Sequence, residues 1–312
     1  MSAKYVTIFA LTLLTCVAAA STSAEAPVPS VQGWYEYCSP SQASCLSDLD
    51  QIASAGFTLV INYAVLYNST SAQVLAYASH ANSLGLKIAW DLSDAAWYQK
   101  ENPAGVSYFK KFAKGCGCST RKEFVTYYVN LVKNNPVTWG YYIGDETDPR
   151  YAPVVNSYSR LVRRLDANPA HTRLFVILGD ASLSTERNEI RAFLPQVDMI
   201  GEDYYPIGNP YTSIADMGTA AGNLQTIATE NGKQSAVVNQ AMSWADYPPG
   251  FCVPFPSCEP FPTYQQMLHM RNTMLRNSQP SILLWYSFFD LQKSSDPGAN
   301  WANATAAAFA AE

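Results

Sequence analysis

The chain is poor in charge, in histidine and in the short motifs that anchor cofactors. Only 14% of its residues are Asp, Glu, Lys or Arg, and the formal net charge is −5. Without a basic run the surface has no stripe for a phosphate backbone and no cationic face for anionic lipid, which excludes nucleic acid and membrane surfaces as partners. The 3 histidines, His80, His171 and His269, are scattered, and no CxxC pair occurs. A tetrahedral zinc site needs such donors at close spacing, so no metal or other cofactor is expected. No glycine-rich phosphate loop follows the first strand-like run, which argues against nucleotide chemistry on a doubly wound sheet. The absence of a Gly-x-Ser-x-Gly elbow argues against a serine hydrolase, and the absence of paired histidines argues against a metal-dependent phosphodiesterase.

What is present begins with a targeting segment. Residues 1–24 combine Lys4, an almost wholly apolar stretch over 5–20 and small residues over 18–24, the pattern of a signal peptide. No later apolar run approaches the roughly 20 residues that span a bilayer, so residues 25–312 are expected to be exported and extracellular. Cys16 leaves with the signal, and an even set remains: Cys38, Cys45, Cys116, Cys118, Cys252 and Cys258. Disulfides are expected, with Cys38–Cys45 and Cys252–Cys258 close enough to staple a loop each; Cys116 would then face Cys118 across a single glycine. Asn68-Ser-Thr70 and Asn303-Ala-Thr305 fit the N-glycosylation acceptor pattern.

Short β-rich runs alternate with helical periodicity along the rest of the chain. Strands are predicted at 33–38, 58–64, 87–92, 137–144, 173–179, 197–203, 235–240 and 282–288, with apolar residues at three- and four-residue spacing between them. Alternation implies parallel pairing, and a count of eight permits closure, so the expected fold is α/β, a single (β/α)8 TIM barrel over residues 25–312. Gly56, Gly85 and Gly232 are expected to end helices in the left-handed conformation and turn the chain into the next strand. The connections after strands are longer, over 93–120 and 243–262, which marks one face of the barrel as the functional rim.

The strand exits carry a ring of acids and aromatics. Glu36, Asn62 and Tyr63, Asp91 and Asp94, Asp145 and Glu146, Asp180, Glu202 to Tyr205, Asn239, Gln240 and Trp244, and Trp285, Tyr286 and Asp290 follow in strand order. Clustered carboxylates repel, and easier protonation of one of them lets an acid and a base coexist at neutral pH. With 7 Trp and 20 Tyr in the chain, aromatic faces beside carboxylates suit a carbohydrate, whose C–H faces stack while its hydroxyls hydrogen-bond.

Two segments carry a family resemblance. Gly140-Tyr-Tyr-Ile-Gly-Asp-Glu-Thr-Asp-Pro149 resembles the Gly-Trp-Tyr-x-x-Asp-Glu-Pro segment of TIM-barrel glycoside hydrolases, and Val197-Asp-Met-Ile-Gly-Glu-Asp-Tyr-Tyr-Pro206 resembles their Val-Asp-x-x-Gly-x-Asp-x-Tyr-Pro strand six. The resemblance implies a secreted enzyme that cleaves O-glycosidic bonds, with Glu146 as general acid and Asp203 as base or nucleophile, Glu202 being the alternative partner. Carboxyl groups about 6.5–9.5 Å apart would make the reaction inverting, and about 5–5.5 Å retaining. Strict alternation along strand six puts Asp203 on the face of Met199 and Gly201 and sends Glu202 to the other face. Substrate contacts are expected from Asp91, Asp145, Tyr204, Tyr205, Gln240, Trp244 and Trp285; Trp34 and Trp97 are further candidates for sugar platforms. Glu36 and Asp180 are expected to be supports, and Asp198 structural. The chain departs from the best-known retaining clan: Asp145 stands where that clan has Asn before the strand-four Glu, and the 236–244 segment contains no acid. A strand-seven nucleophile is therefore excluded. The competing reading is a carbohydrate-binding barrel without catalysis.

Overall fold

The computed structural model describes residues 28–97, 115–247 and 261–311. Eight strands, β1 (Val31–Glu36), β2 (Leu59–Asn62), β3 (Lys87–Asp91), β4 (Thr138–Asp145), β5 (Thr172–Leu178), β6 (Met199–Asp203), β7 (Gln234–Gln240) and β8 (Ile282–Tyr286), form one parallel sheet. The sheet closes in sequence order, because β1 pairs with β8 as well as with β2. The eight predicted strands are all found, and the chain is a single (β/α)8 barrel.

Ten α-helices cover the outside among the described residues: α1 (Ser44–Ser54), α2 (Ser71–Ser83), α3 (Ser93–Trp97), α4 (Arg121–Val132), α5 (Ala152–Leu165), α6 (Leu183–Arg191), α7 (Ile214–Glu230), α8 (Tyr264–Asn277), α9 (Phe288–Lys293) and α10 (Pro297–Phe309). Four of them start with a reciprocal cap, Thr70 with Gln73, Thr120 with Glu123, Ser213 with Asp216 and Thr263 with Gln266. Each such cap satisfies amides that the first helical turn leaves without partners, worth about 1 kcal/mol. Gly56, Gly85 and Gly232 have φ of 94°, 75° and 61°, so the helix-to-strand turns use the left-handed residue expected of them. None of these helices is long and apolar enough to cross a membrane.

Alternation along the strands divides the core in two. Tyr35, Ile61, Ala89, Tyr142, Val176, Met199, Val238 and Leu284 fill the barrel, whereas Trp34, Val60, Trp90, Phe175, Ile200, Val237 and Trp285 pack between barrel and helices. Trp34 and Trp285 are directly paired across β1 and β8, and their rings stack at 5.9 Å in the outer layer. The longest strand, β4, carries register shifts against both neighbours, near Ile88/Ala89 of β3 and near Tyr142/Gly144 of β4. Such irregularities re-aim a strand, and the second lies just before the end that bears the two acids.

Disulfides join Cys38 to Cys45 and Cys116 to Cys118. The signal segment 1–24, the Cys252 and Cys258 pair and the side chain of Trp97 lie outside the described residues.

Candidate active site

At the carboxyl ends of the strands a cleft of about 400 Å³ is lined by Tyr37, Tyr63, Ser93, Asp94, Asp145, Glu146, Tyr286 and Phe289. Three carboxylates line it and no basic side chain does. A larger cavity, about 850 Å³, opens between the Cys116–Cys118 turn and α4, but its one acid, Glu123, is occupied in the cap of that helix. The cleft at the strand exits is therefore where carboxylate chemistry is available.

β4 delivers its two acids differently. Asp145, the last residue of the strand, is half-buried and fixed by two phenols: Tyr142 donates to Oδ1 at 2.5 Å and Tyr63 donates to Oδ2 at 3.1 Å. Burial and then the charge of Glu146 push the Asp145 carboxyl up to about 7, against the pull of the two tyrosine hydroxyls. Glu146 keeps the ladder going through its N–H, which donates to the Val176 carbonyl at 3.0 Å, but its backbone has φ of 40°. This sparsely populated conformation turns its side chain out into the exposed rim.

β6 brings Asp203 to meet them. As alternation predicts, Asp203 lies on the inner face, at the end of a strand whose Met199 packs inside the barrel, and it is 5% exposed. Its Oδ2 accepts from the Tyr205 hydroxyl at 3.1 Å, its Oδ1 has no hydrogen-bond partner, and the charges of Glu146 and Asp145 bear on it. Burial, followed by the charges of Glu146 and Asp145, raises the Asp203 carboxyl well above the usual range. Burial and neighbouring negative charge together favour the protonated form of the Asp203 carboxyl.

The floor of this site is tyrosine. Tyr35 stacks on Tyr63 at 5.4 Å and meets Tyr286 edge-on at the same separation, and Tyr205 lies 5.4 Å from Tyr286. Tyr247 donates to the Tyr286 hydroxyl at 3.0 Å, and the half-buried Trp244 packs on Tyr205 and Tyr247. These phenols offer flat faces and hydroxyls side by side.

The structure gathers some of the predicted residues and disperses others. Asp145, Glu146, Asp203, Tyr205 and Trp244 converge on one region. Glu202 points the opposite way, fully buried, within hydrogen-bonding reach of Glu186 on α6, and its carboxylate oxygens have no donor. Trp285 is fully buried against Trp34 in the outer layer and presents no face to a ligand. Tyr204 packs in that same outer cluster. Gln240 is fully buried, and its amide both accepts from and donates to the Ile207 backbone at 2.9 Å, which pins the loop after β6. Asp91 is fully buried and accepts from the Ser93 amide at 2.9 Å and hydroxyl at 2.6 Å at the start of α3. Burial leaves Glu202, Trp285, Tyr204, Gln240 and Asp91 little surface to offer a ligand. Asp198, expected to be structural, holds Arg173 with Oδ1 to Nη2 at 2.8 Å. Asp180 donates its amide to Glu186 at 2.8 Å as a support.

The sequence reading gave no site role to Asp94, Tyr37, Tyr63, Tyr286 and Phe289. Their signal was position alone, at or just beyond strand ends, which core residues share.

No protein-family model matches the chain and no curated protein matches its sequence; its likeness to known proteins is structural. It superposes on a GH113 β-1,4-mannanase with a TM-score of 0.56 at 11% identity, covering 91% of this chain and 99% of that one. A fungal β-1,4-galactanase gives 0.54 at 14% identity, covering 86% and 92%. A GH5 subfamily 18 protein from Streptomyces cattleya in complex with GlcNAc gives 0.57 at 12% identity, covering 90% and 80%. These likenesses show the (β/α)8 fold.

Proposed function

We propose that the protein is an exported glycoside hydrolase that cleaves O-glycosidic bonds of a polysaccharide or oligosaccharide. The observation that carries the reading is the pair of β4 acids, Asp145 and Glu146, in the tyrosine-lined cleft, with the buried Asp203 of β6 beside them. The Cys38–Cys45 disulfide supports an oxidising compartment.

Glu146 and Asp203 are neighbours whose charges act on each other, and together they serve the leaving oxygen. Burial and two neighbouring negative charges favour a proton on Asp203, which delivers it by way of Glu146 at the rim to the leaving oxygen. Asp145, held by Tyr63 and Tyr142 in the same cleft, takes the second role, facing the positive charge that develops at the anomeric carbon and activating water. Tyr286, Tyr63 and Trp244 offer stacking faces to the ring.

The structural relatives include a β-1,4-mannanase and β-1,4-galactanases, so β-1,4-linked hexose polymers are the first substrates to test. Release of reducing ends by the wild type, with loss in both Glu146→Gln and Asp203→Asn, supports the reading. Retention of a polysaccharide in an affinity gel without any release supports the alternative, a carbohydrate-binding barrel, which the structural use of Gln240 at the β7 exit favours.

A further inference from the structure

A second carboxylate pair sits outside the barrel, beside the Cys38–Cys45 disulfide, and plays no part in the cleft. Glu36, the last residue of β1, points away from the barrel interior and is 2% exposed. Its Oε1 accepts from the Tyr37 amide at 2.7 Å, while its Oε2 has no donor. From α1, the half-buried Asp48 brings a second carboxylate, and oxygen atoms of the two groups and Cys38 Sγ all lie within 4.8 Å of one another. The sulfur is consumed in the disulfide and accepts from Asn62 Nδ2 at 3.2 Å, so it is no thiolate donor. The oxygens are not hydrogen-bonded to each other.

We propose that Glu36 and Asp48 form a binding site for a hard divalent cation of the calcium class. Two oxygens bound to one calcium at 2.3–2.6 Å stand at most about 5 Å apart, and the carboxylate oxygens here lie within 4.8 Å of each other. A cation there converts the mutual repulsion of two carboxylates into shared attraction and supplies a partner to the orphan Oε2. Buried carboxylates without such a partner are costly, and burial of Glu36 is complete. Oxygen-only donors select calcium or magnesium over zinc, and the solvent-facing side of Asp48 leaves room for the waters that complete the shell. The remaining polar and charged groups facing the pair are the Tyr77 hydroxyl on α2 and Lys293 on α9; the lysine is mostly exposed and turned toward Asp290 at 3.9 Å. The site lies where the short β1–α1 connection closes, next to Tyr37 of the cleft wall, so its occupant would stiffen that wall.

The test uses the full exported chain with disulfides intact, stripped with a chelator and titrated with calcium chloride at mildly alkaline pH. Isothermal titration is expected to give saturable binding, and the melting temperature is expected to rise by about 5–10 °C at a hundredfold excess over Kd. Asp48→Asn and Glu36→Gln should each lose this response; both amides fit the same space, and Asp48→Asn alters only a half-buried position should Glu36→Gln fail to fold. The proposal is overturned if calcium gives no saturable signal, or if Asp48→Asn responds to calcium as the wild type does. Hydrolytic activity does not enter either readout, so this result stands apart from the glycosidase reading.

Discussion

Glu146 bears both the proposed acid role and a strained backbone, and the two can be separated by a pair of substitutions. Among the described residues it is the non-glycine residue with positive φ, at 40°. A left-handed conformation costs an L residue about 1–2 kcal/mol, and glycine removes that cost while losing about 0.5–1 kcal/mol to its freer unfolded chain. Glu146→Gly is therefore expected to stabilise the fold by about 0.5–1 kcal/mol, with a further contribution because the side chain is exposed and its charge repels Asp145 and Asp203. For a domain of this size the melting temperature should rise by about 2–4 °C. Activity should move the other way: loss of a general acid lowers kcat/KM by about 10²–10⁴-fold, or about 3–5 kcal/mol. Glu146→Gln should show the same loss, with only the smaller rise in melting temperature that removal of the charge gives. The loss should also shrink on aryl glycosides with acidic phenol leaving groups, which depart without a proton. Kinetics on an aryl glycoside series, beside differential scanning calorimetry, provides the check. Equal losses for good and poor leaving groups would refute the acid assignment, and a Glu146→Gly protein that melts below wild type would refute the strain argument.

The buried Glu186–Glu202 pair should set an alkaline limit to stability. Burial raises Glu186 from its ordinary 4.5 to about 8 and lifts Glu202 as well, so the stabilisation is full below pH 4.5 and is lost as pH rises through about 8. Glu202→Gln should flatten that decline in melting temperature measured across the pH series, while leaving activity near wild type. Trp285→Ala, which empties a fully buried site against Trp34, should cost about 3–5 kcal/mol in urea unfolding, whereas Trp244→Ala should raise KM with little change in stability. Replacing both Cys38 and Cys45 by alanine opens a loop spanning 7 positions and should cost about 2.5 kcal/mol, read from urea midpoints and abolished as a difference when the wild type is reduced.

How much of this was legible beforehand depends on which physical rule governs each residue. The strand order and the left-handed glycines follow from local rules, period and backbone conformation, and Gly56, Gly85 and Gly232 were placed without tertiary information. Period also separated Asp203 from Glu202, since adjacent strand residues face opposite layers whatever they pack against. The same rule applied to β8 would have sent Trp285 outward, because it precedes Tyr286, which packs on the inner cluster; its aromatic chemistry outweighed its parity in the reading. Gln240 sits on the end of an inner-facing strand, and its fate was decided by the Ile207 backbone, a contact between loops that no spacing encodes. The Glu146–Asp203 approach has the same origin: it depends on two register shifts flanking β4 and on one residue at positive φ, features that arise when neighbouring strands must fit. Motif and parity could thus name both acids, but only closure of the barrel sets Asp203 beside Glu146 and Asp145, where their charges act on its buried carboxyl.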